Sequence, residues 1–204
     1  MKGHLDYSNK NGRKAVIEYC FDFIDTDKIP TNKTLFAEAC KKGCKNYNKK
    51  WSCPPCSPSF DKMKHKKKFL VVMIKINGRY FADCTEWMKV KTINSILKSK
   101  LDNAVRGIAD KFNGYCYISG SCRLCKICAK KTNKPCRHPN KLRYSLEAVG
   151  IDCNKLVEKT LKEKLCWYNK GVKYEYGSAV GAVELNDKVK SDDINDVIIG
   201  SLKG

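Results

Sequence analysis

Four cysteines in one basic stretch have the spacing of a metal-cluster site. They follow the pattern Cys-x2-Cys-x2-Cys-x7-Cys, and we call them group 2: Cys122, Cys125, Cys128 and Cys136. A cube of iron and sulfide offers several irons, so each of three closely spaced thiolates can take its own metal. A lone tetrahedral zinc ion usually draws on two separated Cys-x2-Cys pairs, and three ligands from one short stretch would crowd it. The spacing favours a 4Fe–4S cluster, with zinc and reduced structural thiols as the alternatives.

A second set of cysteines lies earlier in the chain, in the pattern Cys-x3-Cys-x8-Cys-Pro-Pro-Cys. We call it group 1: Cys40, Cys44, Cys53 and Cys56. The two prolines stiffen the backbone between the last two thiols, which suits a loop that presents ligands. We interpret the first three as ligands of a second metal site and Cys56 as a fourth ligand or a free thiol. A cube held by only three thiolates leaves one iron open to a substrate.

Two other interpretations of group 1 stay open. One is a dithiol redox pair at Cys53 and Cys56, but this pair follows a loop and does not begin a helix after a strand, as a thioredoxin-like motif does. The other is a structural zinc site. The sequence therefore predicts one 4Fe–4S cluster, or two, with zinc as the alternative metal.

The two cysteine blocks resemble those of a family of uncharacterised predicted metal-binding proteins that is common in anaerobic bacteria and archaea. The resemblance covers roughly residues 30–185 and rests on Cys40-x3-Cys44, Trp51-Ser52-Cys53-Pro54-Pro55, Cys122-x2-Cys125-x2-Cys128, Pro135-Cys136-Arg137-His138-Pro139 and Arg143-Tyr144-Ser145-Leu146-Glu147-Ala148-x-Gly150-Ile151-Asp152. The resemblance implies a metal that is ligated by cysteines in a cytoplasmic protein, with an iron–sulfur cluster as the leading choice. It implies no settled reaction.

Half of the six arginines in the chain surround group 2: Arg123, Arg137 and Arg143. Guanidinium groups donate directed hydrogen bonds to sulfide, thiolate or a bound anion, and such contacts tune a cluster's potential. Simple charge compensation and loop packing are the alternative. His138 follows the last thiol of group 2 by two residues, and we interpret it as a packed loop residue, with a ligand or proton donor as the other interpretation.

The acidic side chains nearest to group 2 are Glu147 and Asp152, each expected to pair with one of those arginines or to cap the helix that starts near Cys153. Five cysteines stand singly among apolar or amphipathic residues: Cys20, Cys84, Cys116, Cys153 and Cys166. A lone cysteine usually behaves as a small buried hydrophobe. Cys153 stands out, because it follows the turn at 150–152 close to the cysteine-rich block.

Composition bounds the class of protein. The chain has 204 residues, of which 42% are hydrophobic and 30% charged, enough apolar surface for a folded core. The longest apolar run, 69–74, is strand-sized, so we expect no membrane span. No apolar stretch follows the first basic residue, so we expect no signal peptide and a cytoplasmic location. If the chain is not exported, its thirteen cysteines favour metal ligation or redox chemistry over disulfide bonds.

The chain is strongly basic, with a formal net charge of +20. Such a charge attracts nucleic acid or other anions without identifying a partner. Lysine runs interleave with Tyr47, Trp51 and Phe60, as a single-strand nucleic-acid platform requires, although lysines more often form a solvated face and aromatic residues the core. A zinc-stabilised module that binds nucleic acid is therefore our second hypothesis.

Apolar periodicity predicts the elements that must position the thiols. We expect helices at 31–42, from 85 or 89 to about 112, at 142–149 and at 154–166, and strands at 69–76, 115–119 and 177–185. Residues 14–23 are undecided between helix and strand. The pattern indicates one α+β domain over 1–186, with a small central sheet, flanking helices and two cysteine-rich metal-binding loops. A polar C-terminal tail, 187–204, is expected to be mobile or loosely docked.

Our leading hypothesis is a small cytoplasmic iron–sulfur protein. Group 2 would hold a 4Fe–4S cluster for electron transfer or stability, and group 1 would hold a potentially open cluster for redox or small-substrate chemistry. Its partner would be an electron-transfer protein or a small-molecule substrate, with no membrane. An electron carrier or metal-trafficking protein without a substrate is a third hypothesis.

Overall fold

The sheet is antiparallel and has five strands. The computed structural model describes residues 1–9, 12–169, 171–186 and 189–203. Within them the strands lie in the order β1-β2-β3-β5-β4. Their bounds are Lys2–Ser8 (β1), Lys14–Asp25 (β2), Lys68–Asn77 (β3), Tyr115–Tyr117 (β4) and Tyr176–Leu185 (β5). The undecided segment 14–23 is therefore part of a strand, whereas β1 was not predicted.

Strand β3 is the central strand, as its continuous apolar run predicts. Side chains along a strand alternate between the two faces of the sheet. One face carries Leu70, Val72, Ile74 and Ile76, and the other carries Phe69, Val71 and Met73. All seven are at most 1% exposed. Because each such side chain stabilises the fold by about 1.5–3 kcal/mol on full burial, both faces of the sheet must be covered.

Helices provide that cover. Their bounds are Lys33–Gly43 (α1), Glu86–Lys111 (α2), Leu146–Val149 (α3), Cys153–Leu161 (α4) and Ser191–Lys203 (α5). Helix α2 begins after Thr85, whose side chain accepts a hydrogen bond from the Met88 amide. Its predicted apolar stripe packs on one face of the sheet, and α4 packs on the other through Leu156 and Val157. The α+β class and the single domain are thus confirmed.

Two helices are shorter than the sequence predicts. The helix expected at 142–149 is only α3, because Tyr144 accepts a backbone hydrogen bond from Ile118 beside β4 and Ser145 then caps the helix. The helix expected at 154–166 begins one residue earlier and ends at Leu161. Lys162 follows with a left-handed φ of 56°, which stops the helix.

The C-terminal segment is a packed helix rather than the loose tail expected from its polar composition. Ile194, Ile198 and Leu202 recur at every fourth position of α5, are at most 3% exposed and pack in the same core cluster as α2. Such a narrow apolar stripe is hard to recognise in a polar sequence, but it suffices to pack a helix against the core. Residues 187, 188 and 204 of the predicted tail lie outside the described residues. In the described part of the chain, no helix is long and apolar enough to cross a membrane.

Candidate metal centres

All four thiols of group 2 line one small cavity of about 20 Å³, which we call cavity 2. Its wall also includes Trp51, Ser52 and His138. The loop that carries these cysteines is irregular, as predicted, and short backbone turns hold it: the Lys131 amide donates to the Cys128 carbonyl oxygen at 3.1 Å. The four residues grouped by their spacing in the sequence are therefore also grouped in space.

Three of the four cysteines of group 1 line a much larger cavity of about 670 Å³, which we call cavity 1. They are Cys40, Cys44 and Cys53, the three interpreted as ligands. Cys40 and Cys44 are one helical turn apart at the end of α1. Cys56 does not line the cavity, whereas Cys153, at the start of α4, does. Sequence reasoning treated Cys153 as a lone buried cysteine, and only its place after the 150–152 turn pointed to the site.

Helix α1 lies on the surface and contributes no buried residue. Its apolar residue Leu35 is exposed, and Phe36 and Ala39 line cavity 1. The helix is therefore held in place by its ends and by polar contacts.

The main polar contact of α1 is the ammonium group of Lys33. It donates to the Ser57 carbonyl oxygen and Oγ at 3.2 and 3.0 Å, to the Pro58 carbonyl oxygen at 3.1 Å and to the Ala148 carbonyl oxygen at 2.5 Å. Ser57 Oγ also donates to the Ala148 carbonyl oxygen at 2.6 Å. One side chain thus joins α1, the end of the group 1 loop and α3.

Gly150 brings α3 against α1. Its φ of +97° is the left-handed conformation that glycine adopts without strain, and a Cβ there would stand 2.7 Å from the Lys33 Cα. The Asn32 amide donates to the Gly150 carbonyl oxygen at 2.7 Å. Only glycine allows this approach of two backbones beside cavity 1.

Burial raises the pKa of two thiols of group 1, Cys40 and Cys53, and that of Cys153 on the same cavity. Desolvation raises the pKa of Cys53 to about 11, although a hydrogen bond with Ser52 opposes the shift. Desolvation also raises the pKa of Cys40, and the charges of Cys44 and Glu147 add to it. For fully buried Cys153, burial and then Glu147 raise the pKa further. Metal binding would have to displace these protons.

The three arginines bind protein groups around the cysteine loop. Arg123 pairs with Asp102 at 2.5 Å, Arg137 donates to the Ile127 carbonyl oxygen at 2.9 Å, and Arg143 donates to the Asn140 and Leu142 carbonyl oxygens at 2.8 Å. These contacts match the loop-packing interpretation, and Arg123 also lines cavity 1.

The two acidic side chains differ in role. Asp152 caps α4 by accepting from the Lys155 amide at 3.1 Å, one of the two roles predicted for it. Glu147 lines cavity 1 and forms a side-chain hydrogen bond with Cys153. Its carboxylate therefore lies beside Cys153 at cavity 1 and, within the described ranges, does not pair with an arginine, which was one of the roles predicted for it.

Ser52 lies between the two groups of thiols and is 1% exposed. Its Oγ accepts from the Cys122 amide at 3.1 Å and lies 3.8 Å from Cys53 Sγ. Lys50 adds two contacts to the same wall, to Ser121 Oγ at 3.1 Å and to the Cys122 carbonyl oxygen at 2.8 Å. Cavities 1 and 2 are therefore neighbours across the segment 50–53, a relation that no spacing in the sequence reveals.

The donor set fits a metal centre. Thiolate sulfur is the usual protein ligand of iron–sulfur clusters and of structural zinc, and all thirteen cysteines are free. Among the described residues, no three His, Cys, Asp or Glu side chains stand close enough together to hold a metal ion as they are. The structure therefore brings the thiols around each cavity without drawing them onto one point.

An α+β domain with two sets of free thiols at neighbouring cavities defines a cysteine-rich metal-binding protein. The chain belongs to the DUF2284 family, described as predicted metal-binding proteins, and the family model matches residues 22–180. No curated protein and no solved structure is significantly similar to it. The family resemblance predicted from the two cysteine blocks is thus confirmed.

We predict that Gly150→Ala destabilises the chain more than Gly171→Ala. Both glycines have positive φ, so each substitution incurs the left-handed strain of about 1–2 kcal/mol, but a Cβ at Gly171 meets nothing within 4 Å. The clash with Lys33 should cost at least about 2 kcal/mol more, by analogy with overpacked cores. Urea unfolding measures both free energies, and equal losses would contradict the close packing of Gly150.

We also predict that iodoacetamide modifies metal-free Cys53 far more slowly than exposed Cys44. With a pKa of about 11, roughly one Cys53 in a thousand is thiolate at pH 8, and the rate should rise about tenfold per pH unit up to that pKa. Peptide mass spectrometry after timed alkylation gives each rate. In urea the two cysteines should react alike, and equal rates in the folded chain would show that Cys53 is not shielded.

Proposed function

We propose that this protein is an iron–sulfur protein in which group 2 holds a 4Fe–4S cluster. The observation that carries the proposal is that four thiols with a cluster-type spacing line a single cavity. When bound, such a cluster supplies one-electron transfer. Basic side chains stand close by to balance the thiolate charge, among them Lys50 and Lys130, whose ammonium lies 5.2 Å from the centre of the Trp51 ring.

For group 1 we propose a second centre held by Cys40, Cys44 and Cys53. A three-thiolate centre leaves a position for a small molecule, and cavity 1 provides about 670 Å³ beside these thiols, within the range of small-molecule sites. Cys56 does not line that cavity, so we leave it out of the ligand set. Redox or small-substrate chemistry at this centre is the function that the arrangement supports best.

We further propose a reducing compartment, the cytoplasm, and an electron-transfer partner that docks beside group 2. Thirteen free cysteines suit a compartment that keeps thiols reduced. Leu124 and Ile127, which lie between the cysteines of group 2, are 39% and 58% exposed. Exposed apolar side chains next to a cluster are suited to a transient electron-transfer contact. Nucleic acid is a weaker partner, because Phe60 is buried and offers no ring to a base.

The first test is quantitation of iron, acid-labile sulfide and zinc in the anaerobically purified chain. We expect about eight irons per chain for two cubes, or about four for group 2 alone. Replacing Cys125 with Ser should remove the signal of group 2, and replacing Cys53 with Ser the signal of group 1, whereas Cys20→Ser, at a buried cysteine outside both groups, serves as control. A colourless chain with stoichiometric zinc and no sulfide would refute the proposal and favour the zinc-stabilised module.

The position of Ser52 leads to a second prediction. Its hydroxyl already accepts from the Cys122 amide, so its hydrogen is available to Cys53 Sγ. A hydrogen bond to a ligating thiolate raises a cluster's potential. Ser52→Ala should therefore lower the midpoint potential of the group 1 centre by on the order of 40 mV, the one-electron equivalent of about 1 kcal/mol. Redox titration followed by electron paramagnetic resonance measures the shift.

Ser52→Thr is the matched control, because it keeps the hydroxyl and should restore most of the potential. An unchanged potential in Ser52→Ala with full iron content would mean that Ser52 only packs. Equal shifts in the Ala and Thr variants would likewise assign the effect to packing and not to the hydrogen bond.

A further inference from the structure

Cavity 1 adjoins another cavity of about 320 Å³, which we call cavity 3. The two share four lining residues: Lys98, Gly120, Glu147 and Trp167. Beyond them, cavity 3 has aromatic and apolar side chains in its wall. They include Tyr168, Tyr174 and Val180, and the polar residues Asn94, Ser119 and Ser178 also line it. The two cavities form a cleft that leads from the thiols of group 1 towards strand β5.

Two opposite charges line the place where the cavities meet. The Lys98 ammonium stands over Gly120, 3.7 Å from the point where a Cβ of that glycine would lie, and it has no hydrogen-bond or ion-pair partner among the described residues. In the same part of the chain, the Glu147 carboxylate has no basic group within 4.0 Å. Its contact is the thiol of Cys153. Lys98 and Glu147 line both cavities, yet they do not pair with each other.

Of the other ionic groups of the cleft, Arg123 and Asp152 are already engaged, whereas Lys45 lines cavity 1 only and is exposed to solvent. Arg123 pairs with Asp102 and donates to the Lys98 carbonyl oxygen. Asp152 caps α4. Trp167 forms part of the shared wall, and its Nε1 donates to Asn154 Oδ1 at 2.9 Å, which fixes the orientation of the ring. What remains available to a ligand where the two cavities meet is one ammonium, one carboxylate and an aromatic wall.

We propose that this cleft binds a zwitterion of the amino-acid class. The ligand's carboxylate pairs with Lys98, its ammonium pairs with Glu147, and an aromatic or apolar side chain occupies cavity 3. A ligand with one charge would cover the other protein charge without pairing it, which is costly. A ligand with both charges satisfies both, and charge-assisted hydrogen bonds are the strong ones.

This inference deepens the proposed function and rests on it for one point, that the ligand lies beside a reactive centre at group 1. Glu147 is close enough to Cys40 for its charge to raise the pKa of that thiol. The ammonium end of the ligand therefore lies nearest to the thiols. Binding itself requires only the cleft and is measurable at any iron content.

The test is a crossed titration by calorimetry on the anaerobically purified full chain. The probes are L-phenylalanine, 3-phenylpropionate, which lacks the ammonium, and 2-phenylethylamine, which lacks the carboxylate. The variants are Lys98→Gln and Glu147→Gln. Lys91→Gln is the control, because Lys91 is exposed on the same helix and stacks over the Trp87 ring at 4.9 Å.

L-Phenylalanine should bind more tightly than either one-charge probe, and each of the two variants should weaken it by about tenfold. Of the two one-charge probes, Lys98→Gln should weaken only the binding of 3-phenylpropionate, and Glu147→Gln should weaken only the binding of 2-phenylethylamine. Lys91→Gln should change nothing. The ranking of the three probes on the unsubstituted chain tests the proposal even where a variant fails to fold.

No binding of L-phenylalanine up to about 10 mM by the folded chain would overturn the proposal. Tighter binding of 3-phenylpropionate than of L-phenylalanine would overturn it too, in favour of a plain anion site. Iron and sulfide are measured on the same samples, so the two proposals are tested separately. A chain that contains iron but does not bind L-phenylalanine contradicts this inference alone. A chain that binds L-phenylalanine but contains no iron or sulfide contradicts the iron–sulfur function alone.

Discussion

The arrangement of group 1 depends on the ammonium group of Lys33. Helix α1 carries Cys40 and Cys44 but buries no side chain, so the sheet cannot set its position. Lys33 instead donates to oxygens of the 57–58 loop and of α3, and hydrogen bonds from a charged group contribute about 1.5–3 kcal/mol each. The pKa of Lys33 is lowered by burial, and the charge of Cys40 opposes this shift. Polar contacts, and not the core, therefore hold the thiols of group 1 together.

Sequence patterns predict what is local, and they fail where the determining contact is distant. Strand β3 and helix α2 follow from apolar runs and periodicity, and group 2 follows from its spacing alone. The fourth cysteine on cavity 1 is Cys153 and not Cys56, because the bridge between Thr31 and Ile151 brings the start of α4 beside α1. The roles of Lys98 and Ser52 carry no signal in the sequence, even though Ser52 belongs to a motif of the family resemblance, since these roles come from the packing of segments far apart in the chain. Helix α5 escapes prediction because only one residue in four of it is buried.

The two groups of thiols differ in their surroundings, although neither group is uniformly buried: Cys44 of group 1 is exposed, and the four thiols of group 2 are half-buried. Group 2 lies near the surface with Leu124 and Ile127 exposed between its cysteines. Group 1 has a buried thiol at Cys53 and faces the cleft. The hydroxyl of Ser52 contacts both groups, through the Cys122 amide and the Cys53 sulfur. In the proposed arrangement, the surface beside group 2 where a protein partner would dock is therefore separate from the cleft beside group 1 where a small molecule would bind.

For the centre proposed at group 1, Glu147 bears on whether Cys153 would be a fourth ligand. Cys153 lines the same cavity as the three proposed ligands, so distance along the chain does not exclude it as a fourth. Its thiol, however, is hydrogen-bonded to Glu147, and both burial and that carboxylate raise the pKa of Cys153. Glu147 also raises the pKa of Cys40, one of the three proposed ligands. Ligation by Cys153 would place a second thiolate next to this carboxylate, and like charges repel. In the proposed centre, Cys153 is therefore better suited to hold a proton than to bind metal, and the fourth position would face the cleft.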